Sequence, residues 1–385
     1  MEPQIELALR KFVAPEFVFG VGARHLAGRY AKNFGARKVL VVSDAGVIEA
    51  GWTAQVTDSL DAERLPYIVF SQVTPNPRVE EVMAGVQVYQ CEGCNLIVAV
   101  GGGSPMDCAK GIGIASANKQ HVSKFEGVDQ VSIPGPPLIC IPTTAGSAAD
   151  VSQFAIITDM ARKIKMSIIS KTVVPDVALI DPVTTTTMDT ELTACTGLDA
   201  LVHGIESFVS NAHSPVTDLH ALEAIRLVTE NLLSVITNRE DIGLRGQMML
   251  GSMHAGLAFS NASLGAVHAM AHSLGGFLDF PHGKTNALLL EHVVAFNFNA
   301  AMERYRRIGH AMGLELRLGR ERETILEAIR RLRQAVGVDQ TLGQLGLHRS
   351  HIPNLARNAM QDACMVTNPC RPTQQEIEEI YENAL

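Results

Sequence analysis

The stretch Asn95-Leu96-Ile97-Val98-Ala99-Val100-Gly101-Gly102-Gly103-Ser104-Pro105-Met106-Asp107 runs from apolar residues straight into three glycines and then into a helical pattern. So short a continuous apolar run suits a strand covered on both faces, as in a parallel sheet. Successive glycines let backbone N–H groups approach a phosphate, and the following helix N-terminus favours negative charge. Pro105 fits the first helical turn, where no N–H is needed. The motif is not GxGxxG, since Met106 holds the place of the last glycine, and not a Walker loop, since no GK[ST] follows. A plain strand-to-helix turn uses glycine in the same way, so both readings stand on these residues alone.

Working outward, the same grammar repeats. Lys38 to Val42 is an apolar run ending in Ser43-Asp44-Ala45-Gly46, and Tyr67 to Phe70 is another, followed by Thr74-Pro75-Asn76-Pro77. Pro137 to Ile141 is a further one, ending in Pro142-Thr143-Thr144. Helical patterns lie between them, over Val79 to Gln90 and Ser104 to Asn118. Strands alternating with helices predict an open α/β parallel sheet covered on both faces. After Pro175 to Pro182 no strand-like run appears. Helices are expected over Glu191–Ser210, Asp218–Thr237, Leu244–Phe259, Ser263–Leu274, Lys284–Phe296, Ala301–Met312 and Glu321–Val336. The boundary between an α/β domain (1–184) and an all-α domain (185–385) is placed near residue 184.

Composition bounds the function. With 385 residues, 46% apolar and 19% charged, the chain can bury a large core and is not a disordered protein. A net charge of −8 argues against a broad nucleic-acid surface. The start mixes charges with apolar residues and does not read as a signal peptide, and the seven cysteines are scattered, so a reduced, cytoplasmic protein is expected. Cys91-Glu92-Gly93-Cys94 precedes a strand rather than opening a helix after one, and no second CxxC completes a zinc set. No Asp, Glu, Lys or Arg occurs between Arg245 and Asp279, yet that stretch holds histidines, serines and many glycines. It reads as helices buried in protein rather than a membrane span.

The surplus of 13 histidines over one Trp and five Tyr points to chemistry in the helical half. Asp199 and His203 lie four apart beside an apolar stripe, so they face the same way on a helix. His268 and His272 are also four apart, on a helix that Gly275-Gly276 is expected to stop, and Pro281-His282-Gly283 places another His on a turn. One carboxylate with several imidazoles is a ligand set for Zn²⁺ or Fe²⁺. A zinc protease is excluded because Ala269 stands where HExxH needs its Glu. In the first half, Asp44 ends a strand, where a carboxylate can bind a ribose diol and would repel a 2′-phosphate, or can simply cap the next helix. Thr143, Thr144 and Ser147 offer hydroxyls at another strand end.

These motifs, taken in order, resemble the iron-containing (group III) alcohol dehydrogenases over nearly the whole chain. The matching residues are Phe19 to Gly22, VVSDAG with Asp44, TPNP with Asn76, GGGSPMDCAK (Gly101 to Lys110) and PTTAGS (Pro142 to Ser147). They continue with PDVALIDP, TGLDALVHGIE (Thr196 to Glu206), HAMAHSLGG and PHGKTNALLL. The resemblance implies an N-terminal Rossmann-like NAD-binding domain and a C-terminal helical metal-binding domain. It implies Asp199, His203, His268 and His282 as metal ligands, and His272 as a histidine near the metal and nicotinamide. Gly102, Gly103 and Ser104 match the pyrophosphate loop, Thr143, Thr144 and Ser147 the second nucleotide loop, and Lys165 the lysine that reaches the ribose. Asn76 falls in a cofactor-binding motif, and Asp44 matches the position associated with NAD. Two departures stand out: Ser147-Ala148-Ala149-Asp150 replaces a frequent TGSE, and Glu291 replaces a frequent proline.

The expectation is therefore reversible NAD-dependent oxidation of a small alcohol to an aldehyde or ketone, with Fe²⁺ or Zn²⁺ at the cluster and His272 as a proton relay. The protein is expected to be a homodimer or larger homo-oligomer with no nucleic-acid or membrane partner. Rival readings are a cyclising synthase of the same fold and a non-catalytic metal- or nucleotide-binding regulator.

Overall fold

The computed structural model describes residues 9–385. Among the described residues the strands are β1 Glu16–Phe19, β2 Val39–Val42, β3 Tyr67–Phe70, β4 Leu96–Gly101, β5 Gly127–Val128, β6 Leu138–Pro142, β7 Phe154–Asp159, β8 Ile164–Ile169 and β9 Val177–Ile180. The helices that accompany them are α1 Ala27–Asn33, α2 Ala45–Glu49, α3 Trp52–Ala62, α4 Val79–Cys91 and α5 Gly103–Asn118. The rest of the chain is helical: α6 Thr190–Val209, α7 Pro215–Thr237, α8 Ile242–Ala262, α9 Ala266–Leu278, α10 His282–Asn297, α11 Met302–Ala311, α12 Glu321–Ala335, α13 Ile352–Gln361 and α14 Gln374–Asn383.

Six strands form one sheet in the order β1-β9-β6-β4-β2-β3, and every pairing in it is parallel. The apolar runs are continuous because both faces are covered. Val39, Val41, Leu96, Val98, Val100, Ile139 and Ile141 point to one face, against Ala27 and Ala31 of α1 and Trp52, Val56 and Leu60 of α3. Leu40, Val42, Ile97 and Ala99 point to the other, against Val82 and Val86 of α4 and Ile112 of α5. Each such buried aliphatic side chain stabilises the fold by about 1.5–3 kcal/mol. The chain leaves β2 towards β3 on one side and β4 towards β6 on the other, so the topology reverses between the carboxyl ends of β2 and β4. An open α/β sheet binds its ligands at that crevice.

Two strand regions depart from the sequence reading. β1 was not expected, and neither was the small second sheet, in which β7 and β8 pair antiparallel from Phe154↔Ile169 to Asp159↔Ile164 and β5 pairs with β8. Charged residues interrupt the apolar pattern of β8 at Lys165 and of the turn at Arg162 and Lys163, which hides the hairpin from periodicity. The expected helices are present, but α13 and α14 lie beyond the last expected one, and two local differences bear on the site. Gly275-Gly276 does not end α9, which runs on to Leu278. A Cβ on Gly276 would lie 2.6 Å from Ile164 Cα and one on Gly275 2.6 Å from Lys165 Cε, so these glycines admit β8 against the helix. His282 lies not on a turn but at the first position of α10, with Pro281 as its N-cap. α8 and α9 account for the uncharged stretch: most of their residues are buried, and among the described residues no helix is long and apolar enough to cross a membrane.

Candidate active site

At the carboxyl end of β4 the backbone turns through Gly101 (φ 151°) into α5. Gly102 is the N-cap and offers no side-chain cap, so the first N–H groups of α5 are left for an anion. A Cβ on Gly102 would meet Thr144 Cγ2 at 3.1 Å, and one on Gly103 would meet Ser147 Cβ at 3.0 Å. Thus Gly102, Gly103 and Ser104 lie directly beside Thr143, Thr144 and Ser147, and together the two loops can cradle a pyrophosphate. Thr143 N–H donates to Gly101 O at 2.9 Å and ties the loops together. In the second loop Ala148 takes a left-handed φ of 47°, and Asp150 is buried. Burial pushes the Asp150 carboxyl up to about 6. Asp44 follows β2 on the other side of the crevice. Its Oδ1 accepts from Val47 N–H at 2.9 Å, so it caps α2, and its second oxygen is left for a ribose diol.

The metal candidates come from three helices. α6 carries Asp199 and His203, α9 carries His268 and His272, and α10 carries His282. Asp199 Oδ1 lies 3.8 Å from His268 Nε2 and 3.9 Å from His282 Nε2. Asn286, one turn after His282, sets its amide nitrogen among them: Nδ2 is 2.6 Å from Asp199 Oδ1, 3.1 Å from His268 Nε2 and 3.2 Å from His282 Nε2. One amide has only two N–H bonds, so it cannot satisfy three acceptors. The Nδ1 atoms of His203 and His282 and Oδ1 of Asn286 are buried without any partner. Burial holds His203 below its ordinary titration range and His268 and His282 well below it, so their rings are neutral and their lone pairs free. Ligand bonds of about 2.0–2.2 Å in a tetrahedron place donor atoms about 3.4 Å apart. The donor set and its spacing therefore fit a divalent ion.

His203 lies beside this trio rather than inside it. Asp199, His268 and His282 bring ligand atoms within 4.8 Å of one another, and His203 is not among them. Its ring is stacked between Phe259, with centroids 4.3 Å apart, and His268, at 4.6 Å.

Two supporting carboxylates were not read from the sequence. Glu206 Oε2 accepts from His268 Nδ1 at 2.6 Å, and Oε1 accepts from Val267 N–H at 2.7 Å. It fixes the His268 tautomer, leaving the Nε2 lone pair for the ion, and it caps α9. Burial pushes Glu206 up to about 7. The signal for it was present: Asp199, His203 and Glu206 follow i, i+4, i+7 spacing on α6. Asp362 Oδ2 meets His272 Nδ1 at 2.9 Å. Burial alone would raise Asp362, but His272 and the Cys364 N–H hold it below the usual carboxylate range. No sequence spacing links Asp362 to His272, 90 residues away. The His272 ring also stacks on His282, with centroids 5.4 Å apart. A cavity of about 270 Å³ opens beside it, lined by Lys165, Ser167, His272, Ser273, Asp362 and others.

Lys165 and Asn76 face each other across the mouth of the cleft. Lys165 Nζ donates to Asn76 Oδ1 at 2.7 Å, and Asn76 Nδ2 donates to Asp279 Oδ1 at 2.8 Å. The surrounding protein lowers Lys165 to about 8, against the opposing pull of Asp279, Asp107 and Asp199. This chain of contacts ties the nucleotide half to the end of α9. Glu291 is buried on α10 and lies 3.4 Å from Arg330 Nε, away from the cluster.

The sequence profile described as "Iron-containing alcohol dehydrogenase" matches residues 14–182, and that described as "Fe-containing alcohol dehydrogenase family, C-terminal" matches residues 193–385. Alcohol dehydrogenase 4 of Schizosaccharomyces pombe is 40% identical over 379 residues, covering 97% of this chain and 89% of that protein. The NAD-dependent methanol dehydrogenase of Bacillus methanolicus is 36% identical over 377 residues, covering 97% and 99%. A crystal structure of 1,3-propanediol oxidoreductase superposes with a TM-score of 0.95 at 36% identity, covering 98% of this chain and 100% of the other.

Proposed function

The chain belongs to the iron-containing alcohol dehydrogenase family, and from that premise we propose that it oxidises a short primary alcohol or diol, reversibly, at the cluster of Asp199, His268 and His282. It is an NAD-dependent alcohol dehydrogenase with iron as the family's metal. The rival readings, a cyclising synthase or a non-catalytic regulator, gain nothing from relatives whose names are those of dehydrogenases. The observation that carries the assignment of the site is the convergence of three acceptors on one amide that can satisfy two.

Asp199, His268 and His282 would hold the ion, with the neighbouring His203 as the fourth candidate ligand. When bound, the ion polarises the alcohol oxygen and NAD takes up the hydride. Gly102, Gly103 and Ser104 hold the pyrophosphate at the start of α5, with Thr143, Thr144 and Ser147 opposite. Asp44 receives the adenosine ribose diol on its free oxygen. Lys165 and Asn76 lie where the nicotinamide half would enter, and contact with the cofactor would draw Asn76 from Asp279. His272 gives its Nδ1–H to Asp362, so Nε2 can take the proton released from the alcohol and pass it to the polar cavity. We assign residues 1–184 to cofactor binding and 185–385 to the metal.

A homo-oligomer is supported by β1, which is an edge strand among the described residues and leaves Phe17 42% and Phe19 38% exposed. A reducing compartment is supported by the seven cysteines, all free thiols. The test is a panel of alcohols and aldehydes assayed with NAD and NADP after separate Fe²⁺ and Zn²⁺ reconstitution. Turnover of short alcohols with NAD is expected. No NADH formation from any alcohol by the metal-loaded protein would refute the reading.

A further inference from the structure

Two histidines outside the cleft form a second close pair. His220 lies on α7 and His254 on α8, both half-buried, and their Nδ1 atoms are 2.9 Å apart. The ring centroids lie 5.1 Å apart with the planes tilted by 33°. Neither belongs to the helices that carry the catalytic cluster, and the reaction derived above uses neither. Phe12, from the segment before β1, stacks on His220 with centroids 5.6 Å apart and closes one side of the pair. The backbone of Val13 beside it is pinned at both N–H and C=O by Asn261, at 2.7 and 3.0 Å.

The spacing selects an ion type. Two nitrogens each about 2.0–2.1 Å from one ion and 2.9 Å apart subtend close to 90° at it. That is the angle between neighbouring ligands in a square-planar or tetragonal site, whereas tetrahedral Zn²⁺ would spread them to about 3.4 Å. Imidazole nitrogens in a tetragonal arrangement suit Cu²⁺ and Ni²⁺. Desolvation lowers both histidines, so both rings offer lone pairs at neutral pH. Glu223, one turn after His220, adds a negative charge that acts on His254. Its own oxygens are held by Arg226 at 2.6 and 3.0 Å, which leaves the remaining coordination positions to water.

We propose that His220 and His254 form an auxiliary binding site for a single divalent ion of tetragonal preference, Cu²⁺ or Ni²⁺, held by their two Nδ1 atoms between α7 and α8. On binding, the ring that donates its Nδ1–H takes the Nε2–H tautomer, so both Nδ1 lone pairs face the ion and both rings stay neutral. It cross-links the two helices and fixes the segment carrying Phe12 over them.

The experiment compares the full-length protein with the variants His220→Gln and His254→Gln by equilibrium dialysis against Ni²⁺. The catalytic cluster is intact in all three, so its uptake cancels in the difference. Wild type is expected to bind one equivalent more than either variant, and Ni²⁺ is expected to raise its melting temperature by more than that of the variants. Cu²⁺ is expected to give an electron paramagnetic resonance signal with coupling to two nitrogens that both variants lose. Alcohol oxidation by both variants stays at the wild-type rate, which shows that they fold. Equal Ni²⁺ stoichiometry in all three proteins would overturn the proposal and leave the pair as a hydrogen bond only. Loss of the equivalent in one variant and its retention in the other would overturn the shared site.

Discussion

Replacing Glu206 separates holding the metal from holding the fold. In Glu206→Ala three donors lose their acceptor: His268 Nδ1–H, Val267 N–H at 2.7 Å and His268 N–H at 3.4 Å. Each stranded buried donor costs about 1–3 kcal/mol, so the gross loss is roughly 3–6 kcal/mol with the longest contact counted lightly. Against this stands the burial of the carboxylate itself. Its rise from 4.5 to about 7 means that the ionised form is disfavoured in the fold by about 3 kcal/mol at pH 8, and the substitution removes that cost. The net loss of stability is then small, about 0–3 kcal/mol. Metal affinity behaves differently, because nothing offsets the freed imidazole. Without Glu206 the His268 ring can adopt the other tautomer or rotate, and a partner of this kind is worth about 10–100-fold in affinity. Glu206→Gln does not rescue, because its amide can accept from His268 or from Val267 but presents N–H to the other. The assay is competition for the metal with a chromophoric chelator, alongside thermal melting of the metal-free protein. A folded Glu206→Ala protein with unchanged metal affinity would refute the reasoning.

Three further outcomes follow from the same geometry. Asp150 titrates near 6 in the fold against 3.8 when exposed, because burial disfavours its charge; stability is therefore full below about pH 4 and is lost as pH rises to about 6, by about 3 kcal/mol in all. Asp150→Asn should remove that slope and be up to about 3 kcal/mol more stable than wild type at pH 8, and melts at pH 5 and 8 that shift in parallel for both proteins would contradict this. Gly276→Ala should destabilise by about 1–3 kcal/mol despite better helix propensity, since its Cβ would meet Ile164 backbone at 2.6 Å; denaturant unfolding measures it, and a gain in stability would show that β8 can move away. Asp362→Asn should cut kcat by about 10²–10⁴-fold if the His272 pair relays the proton, with metal content unchanged, and an unaltered kcat and pH profile would remove His272 from the reaction.

What the sequence revealed and what it hid have physical reasons. Apolar runs such as Asn95 to Val100 are legible because a doubly covered parallel strand needs both faces apolar, and the loop glycines mark its carboxyl end. Asp199 and His268 are legible because polar residues beside apolar helix stripes require a reason, and His282 is legible from its Pro-His-Gly motif. The β7–β8 hairpin was hidden because Lys165, whose Nζ reaches Asn76, breaks the apolar pattern of its strand. Gly275 and Gly276 misled because the signal for ending a helix is the same as the signal for admitting a neighbour. Glu206 could have been found from its i+7 spacing to Asp199. The pairing of Asp362 with His272 and of Asn76 with Asp279 could not, since these contacts depend on how the helical half docks on the sheet.

The proposed reaction requires one divalent ion held by Asp199, His268 and His282 for NADH formation. Metal-free protein reconstituted with Fe²⁺ and assayed for bound iron and for NADH from a short alcohol, beside Asp199→Ala treated identically, tests it most directly. The account predicts one iron per chain and turnover in the wild type, with both lost together in the variant and in chelator-treated wild type. Full turnover by the chelator-treated protein, or by Asp199→Ala, would contradict it.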